Sequence, residues 1–238
     1  MSNFFVLREY YVQYLKKIRG NSSSTIQHYL GALDTISSYL SAQQKINTTI
    51  YEITELNNLQ TIKDDLFQDP HFIEKDERGH RMYSAGLNNY CRFASGDNFI
   101  DIKEHISLMD FVIPRSDLII QRTETYKRSS IIKNQVIESV GYICEIDPLH
   151  KTFISESTNQ LYMEGHHIIP MKMQKHFDNS LDVYANIISL CPICHRQLHF
   201  GLREDKIELL IKIYSARSER LHNCGLSISQ DELIELAA

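Results

Sequence analysis

The sequence predicts an α+β protein with a helical amino-terminal part and a carboxyl-terminal part that combines short strands with helices. Apolar residues recur at helical spacing through residues 7–94. From Gly141 onward they alternate in short runs, which is the period of β-strands. Histidine and cysteine side chains also cluster in this second part. A metal site is therefore expected there.

Composition fits a globular protein with a sizeable core. The chain has 238 residues, 42% hydrophobic and 23% charged, with a net charge of −5. That charge argues against a nonspecific polyanion binder, although a local basic face is compatible with it. No apolar run is long enough to span a bilayer, and "MSNFFVLREY" does not resemble a signal peptide. We expect a cytoplasmic protein without a membrane segment. Its five cysteines argue against a disulfide framework.

Residues 1–96 are predicted to form a helical domain. Four stretches place apolar and tyrosine side chains at helical spacing: residues 7–18, 26–40, 53–67 and 83–94. Breaks at "GNSSST", "DP" and "SGD" separate or end them. We interpret the tyrosines as core residues whose helices leave exposed edges for other contacts.

A linker is predicted over residues 97–117, which show no sustained period, and a second domain over residues 118–238. This domain opens with a helix expected from about residue 117 to residue 140. Four basic residues lie along it: Arg122, Lys127, Arg128 and Lys133. They form either a solvated face or a surface that contacts phosphates.

Short strands are predicted at "YICEI", "KTFIS", "LYMEGHHI" and "IISL". In the third, Glu164 and His166 share one face and His167 points to the other. The adjacent histidines therefore cannot act as equivalent ligands of one ion, and two different roles are expected.

Further ligand types follow on the next strand and helix. His195 and His199 are four residues apart in "HRQLH", so one helix face presents both to a single ion. Asn186 lies nine residues before His195. The "CPIC" pair, Cys191 and Cys194, precedes the helix directly and is typical of a metal-binding turn.

The segments "EGHHIIP" and "NIISLCPICHRQLH" resemble the HNH (ββα-metal) endonuclease family over residues 140–202, with its His-His pair, central Asn and final His-x3-His in order. The resemblance implies a ββα-metal nuclease domain with flanking helices. His166, His195 and His199 would hold a divalent cation. His167 would be the general base, and Asn186 would brace the loop that orients it.

The same resemblance implies hydrolysis that leaves 5′-phosphate and 3′-hydroxyl ends. The metal is expected to be Mg²⁺ or Mn²⁺, with Ni²⁺ and Zn²⁺ as further options because imidazole suits them. Glu164 is either a partner that fixes the His166 imidazole or an exposed strand carboxylate.

A structural zinc is expected from the zinc-knuckle subset of the family. "CEID" places Asp147 where a second cysteine would stand, so the predicted ligands are Cys144, Asp147, Cys191 and Cys194. Three alternatives remain: His150 as the fourth ligand, His195 as a zinc ligand, and packing in place of zinc. Cys91 and Cys224 are interpreted as buried thiols.

The sequence thus predicts a DNA endonuclease with a restriction or phage-defence role. Residues 1–96 would recognise double-stranded DNA, and a homodimer would cut both strands. One alternative is a nicking or mobile-element HNH nuclease. Another is a non-catalytic, zinc-stabilised DNA-binding module.

Overall fold

The computed structural model describes residues 5–96, 106–114 and 128–237. Within these ranges the chain divides into two compact units. One comprises residues 5–96 and 129–131, and the other comprises 106–114, 128 and 132–237. The first is helical, and the second combines helices with a two-stranded sheet. The predicted α+β class is confirmed.

Five α-helices form the amino-terminal unit: α1 (Val6–Gln13), α2 (Ser23–Ala42), α3 (Leu56–Gln68), α4 (Pro70–Arg78) and α5 (Met82–Ser95). A π-helical turn, Tyr14–Ile18, continues α1. The Ser22 hydroxyl caps α2 by accepting a hydrogen bond from the Thr25 N–H. Asp69 caps α4 in the same way, with Pro70 in its first turn. The "DP" break therefore starts an additional helix.

Tyrosine side chains make up much of the core of this unit. Tyr11 and Tyr90 are fully buried and meet edge to face, with ring centroids 5.1 Å apart. Phe93 packs 5.4 Å from Tyr11. The Tyr11 hydroxyl donates to Asn89 Oδ1 at 2.8 Å, which satisfies its polar end. The tyrosine stripes of the sequence thus face inward.

Six elements build the carboxyl-terminal unit: α6 (Ser130–Ser139), which begins in the first unit, β1 (Glu164–His167), β2 (Ile187–Leu190), α7 (Pro192–Phe200), α8 (Arg203–Asn223) and α9 (Gln230–Ala237). β1 and β2 are antiparallel, with His166 opposite Ile188 and His167 opposite Ile187. Every residue of β2 is buried, so this strand anchors the sheet in the core.

Two predicted strands are wrong. "YICEI" is a loop because Gly141 and Tyr142 have φ values of 72° and 56°, which a strand does not allow. Glu145 nevertheless pairs with β2: its N–H donates to the Ser189 carbonyl, and its carboxylate accepts from the Ser189 N–H. "KTFIS" forms only an isolated bridge, Ile154 to Leu161.

The described part of the predicted linker, residues 106–114, packs within the carboxyl-terminal unit. Met109 and Ile113 are fully buried, and the Ile113 carbonyl accepts from the Ser180 N–H at 2.8 Å. Asp110 is buried and forms an ion pair with Arg220. The residues that make these contacts do not recur at a regular interval along the sequence. The sequence pattern therefore predicts a linker here.

Of the predicted basic helix over residues 117–140, the part from Ser130 is helical, and residues 117–127 lie outside the described residues. No helix in the described ranges is both long and apolar enough to cross a membrane.

Candidate active site and metal sites

Three imidazoles converge at the edge of the sheet. β1 supplies His166, and α7 supplies His195 and His199 from one face. Their ring centroids lie 4.8–5.1 Å apart in edge-on arrangements. One nitrogen from each ring lies within 4.8 Å of the other two. This arrangement suits a single metal ion.

Local sequence explains the convergence. Cys191 caps α7, because its sulfur accepts from the Cys194 N–H, and Pro192 opens the helix. The cap fixes where α7 begins and therefore which side faces β1. Gly165 keeps β1 close to α6, since a Cβ there would lie 2.2 Å from Cγ of Lys133. Any larger residue between Glu164 and His166 would force the Lys133 side chain to move.

The electrostatics of two of the three rings, His166 and His199, favour neutral imidazoles. Burial, followed by the charges of His195 and His199, lowers the pKa of His166 to about 3. Burial and the charge of His195 also lower the pKa of His199. Neutral imidazole is the form that binds metal, so the donor set fits a divalent cation with nitrogen affinity.

Glu164 contacts His195. Its Oε2 lies 2.5 Å from His195 Nδ1, a contact without hydrogen-bond alignment, and both atoms are buried. The Tyr162 hydroxyl donates to the other carboxylate oxygen at 3.2 Å. The expected pairing of Glu164 with the His166 imidazole is thus replaced by pairing with His195. Tyr162 was missed as a member of the site, although the strand period places it on the face of Glu164.

His167 faces a different partner. Its Nε2 lies 2.9 Å from Oδ1 of Asp182, which is 5% exposed. The Asp182 backbone N–H donates to the Ser180 hydroxyl, which fixes the backbone at this position. Sequence reasoning missed Asp182, and an acid among the apolar residues of "SLDVYANI" was the available signal. A buried carboxylate at this distance favours a proton on Nε2 and leaves Nδ1 free to accept one.

Asn186 holds the end of β1 through hydrogen bonds. Its side chain is fully buried, accepts from the Ile169 N–H and donates to the carbonyls of Ile169 and Leu181. Its backbone carbonyl also accepts from the Ile168 N–H. Asn186 therefore joins the segment after His167 to the segment before Asp182.

A second cluster combines Cys144, Cys191 and Cys194 with His150. His150 Nδ1 lies 3.6 Å from the Cys191 sulfur and 3.4 Å from that of Cys194. Ligands of a tetrahedral zinc with 2.3 Å zinc–sulfur bonds lie about 3.7 Å apart. The cluster thus has the composition and spacing of a structural zinc site.

The expectation for the fourth ligand is corrected. One carboxylate oxygen of Asp147 accepts from the Leu149 N–H, and the other lies 3.5 Å from His150 Nε2. Asp147 therefore contacts Nε2 of His150, whereas Nδ1 of the same ring lies near the cysteine sulfurs. The loop from Cys144 to His150 turns so that position 150, rather than position 147, reaches the cysteines. His195 belongs to the imidazole cluster.

Backbone contacts favour the thiolate of Cys144, whereas burial and the two neighbouring cysteines raise the pKa of Cys194. Burial alone would raise the pKa of Cys144, but backbone hydrogen bonds from Cys191 and Asp147, with His150, lower it overall. Thiolate is the form that binds zinc. Burial raises the pKa of Cys91 and Cys224, as expected for plain buried thiols.

The four expected DNA contacts divide into two groups. Arg128 is exposed and lines the cleft beside the histidines. Lys133 is half-buried, with its side chain across Gly165. Arg122 and Lys127 lie outside the described residues.

Comparison with known proteins agrees with this geometry. The family model of HNH endonuclease matches residues 150–201, a range that holds the four histidines and Asn186. The carboxyl-terminal unit therefore contains an HNH endonuclease domain.

Part of the chain is also similar to a curated restriction enzyme. The chain is 31% identical over 88 residues to the type IV methyl-directed restriction enzyme EcoKMcrA of Escherichia coli strain K12. The match covers 37% of this chain and 30% of that protein. The chain therefore spans under a third of the relative's length.

Proposed function

We propose that the protein is a metal-dependent DNA endonuclease of the restriction type. The observation that supports this best is the separation of roles at the adjacent histidines. His166 joins His195 and His199, whereas His167 pairs with buried Asp182. One residue thus contributes to a metal site while its neighbour stays available for proton transfer.

In this proposal, His167 is the general base. Asp182 holds the Nε2 proton, so Nδ1 takes a proton from the water molecule that attacks the scissile phosphorus. The bond to O3′ breaks and the departing oxygen takes a proton from solvent water, which leaves a 5′-phosphate and a 3′-hydroxyl. An imidazole suits this step because its ordinary pKa, about 6.5, keeps it largely neutral at cellular pH.

His166, His195 and His199 would hold the divalent cation, and Glu164 would fix the His195 ring. When bound, such an ion neutralises charge on the phosphate and on the departing oxygen. Mg²⁺ or Mn²⁺ is proposed, with Ni²⁺ and Zn²⁺ as options that imidazole ligands favour. Asn186 positions the base through the backbone after His167. The Cys₃His cluster would hold a structural zinc.

Recognition of double-stranded DNA is proposed for the helical amino-terminal unit. A site that contacts phosphates alone reads little sequence. The restriction-type assignment rests on the curated relative, whose name specifies methyl-directed restriction. Whether methylation matters for this chain is a question for the cleavage assay.

The test is cleavage of supercoiled plasmid, methylated and unmethylated, with Mg²⁺, Mn²⁺ or EDTA. We expect metal-dependent cutting by the wild type and none by His167→Ala. His176→Ala, an exposed histidine in the turn Met171–His176, is the matched control and should cut normally. Binding without cutting, on either substrate and with every metal, would instead support the DNA-binding module.

A further inference from the structure

A cleft of about 450 Å³ opens beside the histidines. His166, His167, His195 and His199 all line it. Three cationic side chains share the same lining, Arg128, Lys172 and Lys206. The proposed reaction accounts for the histidines but assigns nothing to the two lysines.

The lysines come from two separate elements that both line the cleft. Lys172 is exposed and lies in the turn Met171–His176, which follows the β1 end that carries His167. Lys206 is half-buried in the first part of α8, just after the helix that carries His199. Lys206 is also among the charges that lower the pKa of His199, after burial and the charges of His195 and Arg196.

Neither lysine forms a salt bridge with a carboxylate in the described part of the chain. Lys212, further along α8, does pair with Glu208 at 2.9 Å. The acidic residue nearest the imidazoles, Glu164, is engaged by His195 and Tyr162. Two cations at one cleft without an acidic partner there suit an anionic ligand.

We propose that Lys172 and Lys206 bind the two phosphates that flank the scissile phosphate of a DNA strand. The inference rests on the proposed function, since it takes the histidines as the place of the scissile group. A strand fits better than a single nucleotide, because two cations from separate elements line the cleft together with the histidines, and a strand supplies a phosphate for each cation. Flanking contacts would fix the strand's register over the base without reading sequence.

The test is the salt dependence of DNA binding by the full-length, zinc-containing protein. Affinity for a labelled DNA duplex is measured by fluorescence anisotropy at several salt concentrations, without added divalent ions, so that no strand is cut. Each lost phosphate contact reduces the slope of log affinity against log salt by about one. We expect that reduction for Lys172→Ala and for Lys206→Ala, and about twice as much for the double variant.

Two matched controls remove the same charge elsewhere. Lys175→Ala changes an exposed lysine of the same turn, and Lys212→Ala changes one on α8. Both lie outside the cleft lining and should keep the wild-type slope. Lys206→Gln preserves side-chain length and should behave as Lys206→Ala.

Slopes that match the controls would overturn the inference, and so would a wild-type protein that does not bind DNA. Failure of the proposed function has a different signature. If the wild type never cuts but the two lysine variants still lose slope, catalysis is refuted and the phosphate-binding surface stands.

Discussion

Adjacent histidines on β1 occupy two chemically different environments. His166 meets two other imidazoles, and burial together with their charges keeps it neutral. His167 meets a buried carboxylate. The alternation of a strand produces this division, because neighbouring side chains point to opposite faces. A single residue step along the chain thus separates the proposed metal ligand from the proposed base.

Replacing Asp182 with Asn should slow cleavage about 10- to 100-fold, the usual cost of removing a partner that orients a site residue. The amide can turn either its oxygen or its NH2 group toward Nε2, so it no longer selects the tautomer with the proton on Nε2. DNA affinity and zinc content should stay unchanged. Single-turnover rates at saturating enzyme give the comparison. Asp178→Asn, an exposed acid nearby, is the control. A wild-type rate in Asp182→Asn would contradict the orienting role.

The low pKa of His166 also predicts how stability depends on pH. The unfolded chain takes up this proton near pH 6.5 and the folded chain only near 3, so protons favour unfolding between these values. The metal-free protein should therefore lose stability as pH falls from 6.5 toward 3, by up to about 1.4 kcal/mol per pH unit from this group. Urea unfolding at several pH values should show a shallower decline for His166→Gln. His176→Gln should match the wild type; an equal decline in all three would exclude His166 as a source.

At the scale of elements, hydrogen bonds from side chains hold the sheet and its loops in place. The two strands have only four residues each, so pairing alone fixes little of the surrounding backbone. Asn186 ties the end of β1 to the segment that carries Asp182. The cysteine–histidine cluster holds the loop from Cys144 to His150 in place. Glu145 of the same loop also accepts a hydrogen bond from the Ser189 N–H of β2.

Asn186→Ala should destabilise the protein by about 3 kcal/mol, because it leaves buried groups of Ile169 and Leu181 without their partners. Cleavage should fall as well, since the backbone after His167 loses its support. Urea unfolding measures the first effect. Asn134→Ala, an exposed position on α6, should change stability by less than about 0.5 kcal/mol. A stability loss of that small size in Asn186→Ala would show that the three hydrogen bonds contribute little.

The fourth zinc ligand can be decided by a pair of variants. His150→Ala should release zinc and lower the melting temperature, because only three sulfur ligands remain. Asp147→Ala should retain zinc, since the Asp147 carboxylate contacts Nε2 of His150 and not the cysteine sulfurs. Zinc per chain, measured by atomic emission, is the readout. Zinc loss in Asp147→Ala with retention in His150→Ala would restore the ligand set expected from sequence.

At the scale of the whole molecule, the described part of each chain holds one imidazole cluster, which limits what a monomer can do in one event. A one-metal site hydrolyses one strand, so a double-strand break requires two chains or two successive nicks. We propose a homodimer, as the restriction-type assignment suggests. The two units described here would then divide recognition from cleavage within each chain.

Plasmid time courses separate these possibilities. A dimer that cuts both strands should convert supercoiled DNA to linear DNA with little nicked circle, at a rate that rises steeply with protein concentration near the dimer dissociation constant. Sedimentation of the same protein gives its mass. Full accumulation of nicked circle by a monomeric species would instead favour the nicking nuclease.

The sequence by itself determined the class of fold and the helical character of residues 7–94, although it missed α4, and it singled out the four histidines with Asn186 as candidates. These features depend on period and spacing, which are local. The i, i+4 pair and the strand alternation each follow from the geometry of one element. The family match at residues 150–201 agrees with that reading.

Only the tertiary structure decided the partners of those residues. Asp182 meets His167 across 15 positions, His150 meets Cys194 across 44, and Asp110 meets Arg220 across 110. No sequence period records such pairs, because they depend on how loops turn and pack. The segment after residue 140 alternates like a strand, but it forms a loop because residues 141 and 142 adopt the left-handed backbone conformation. The convergence of Lys172 and Lys206 on one cleft arises in the same way, from elements that meet only when the chain folds.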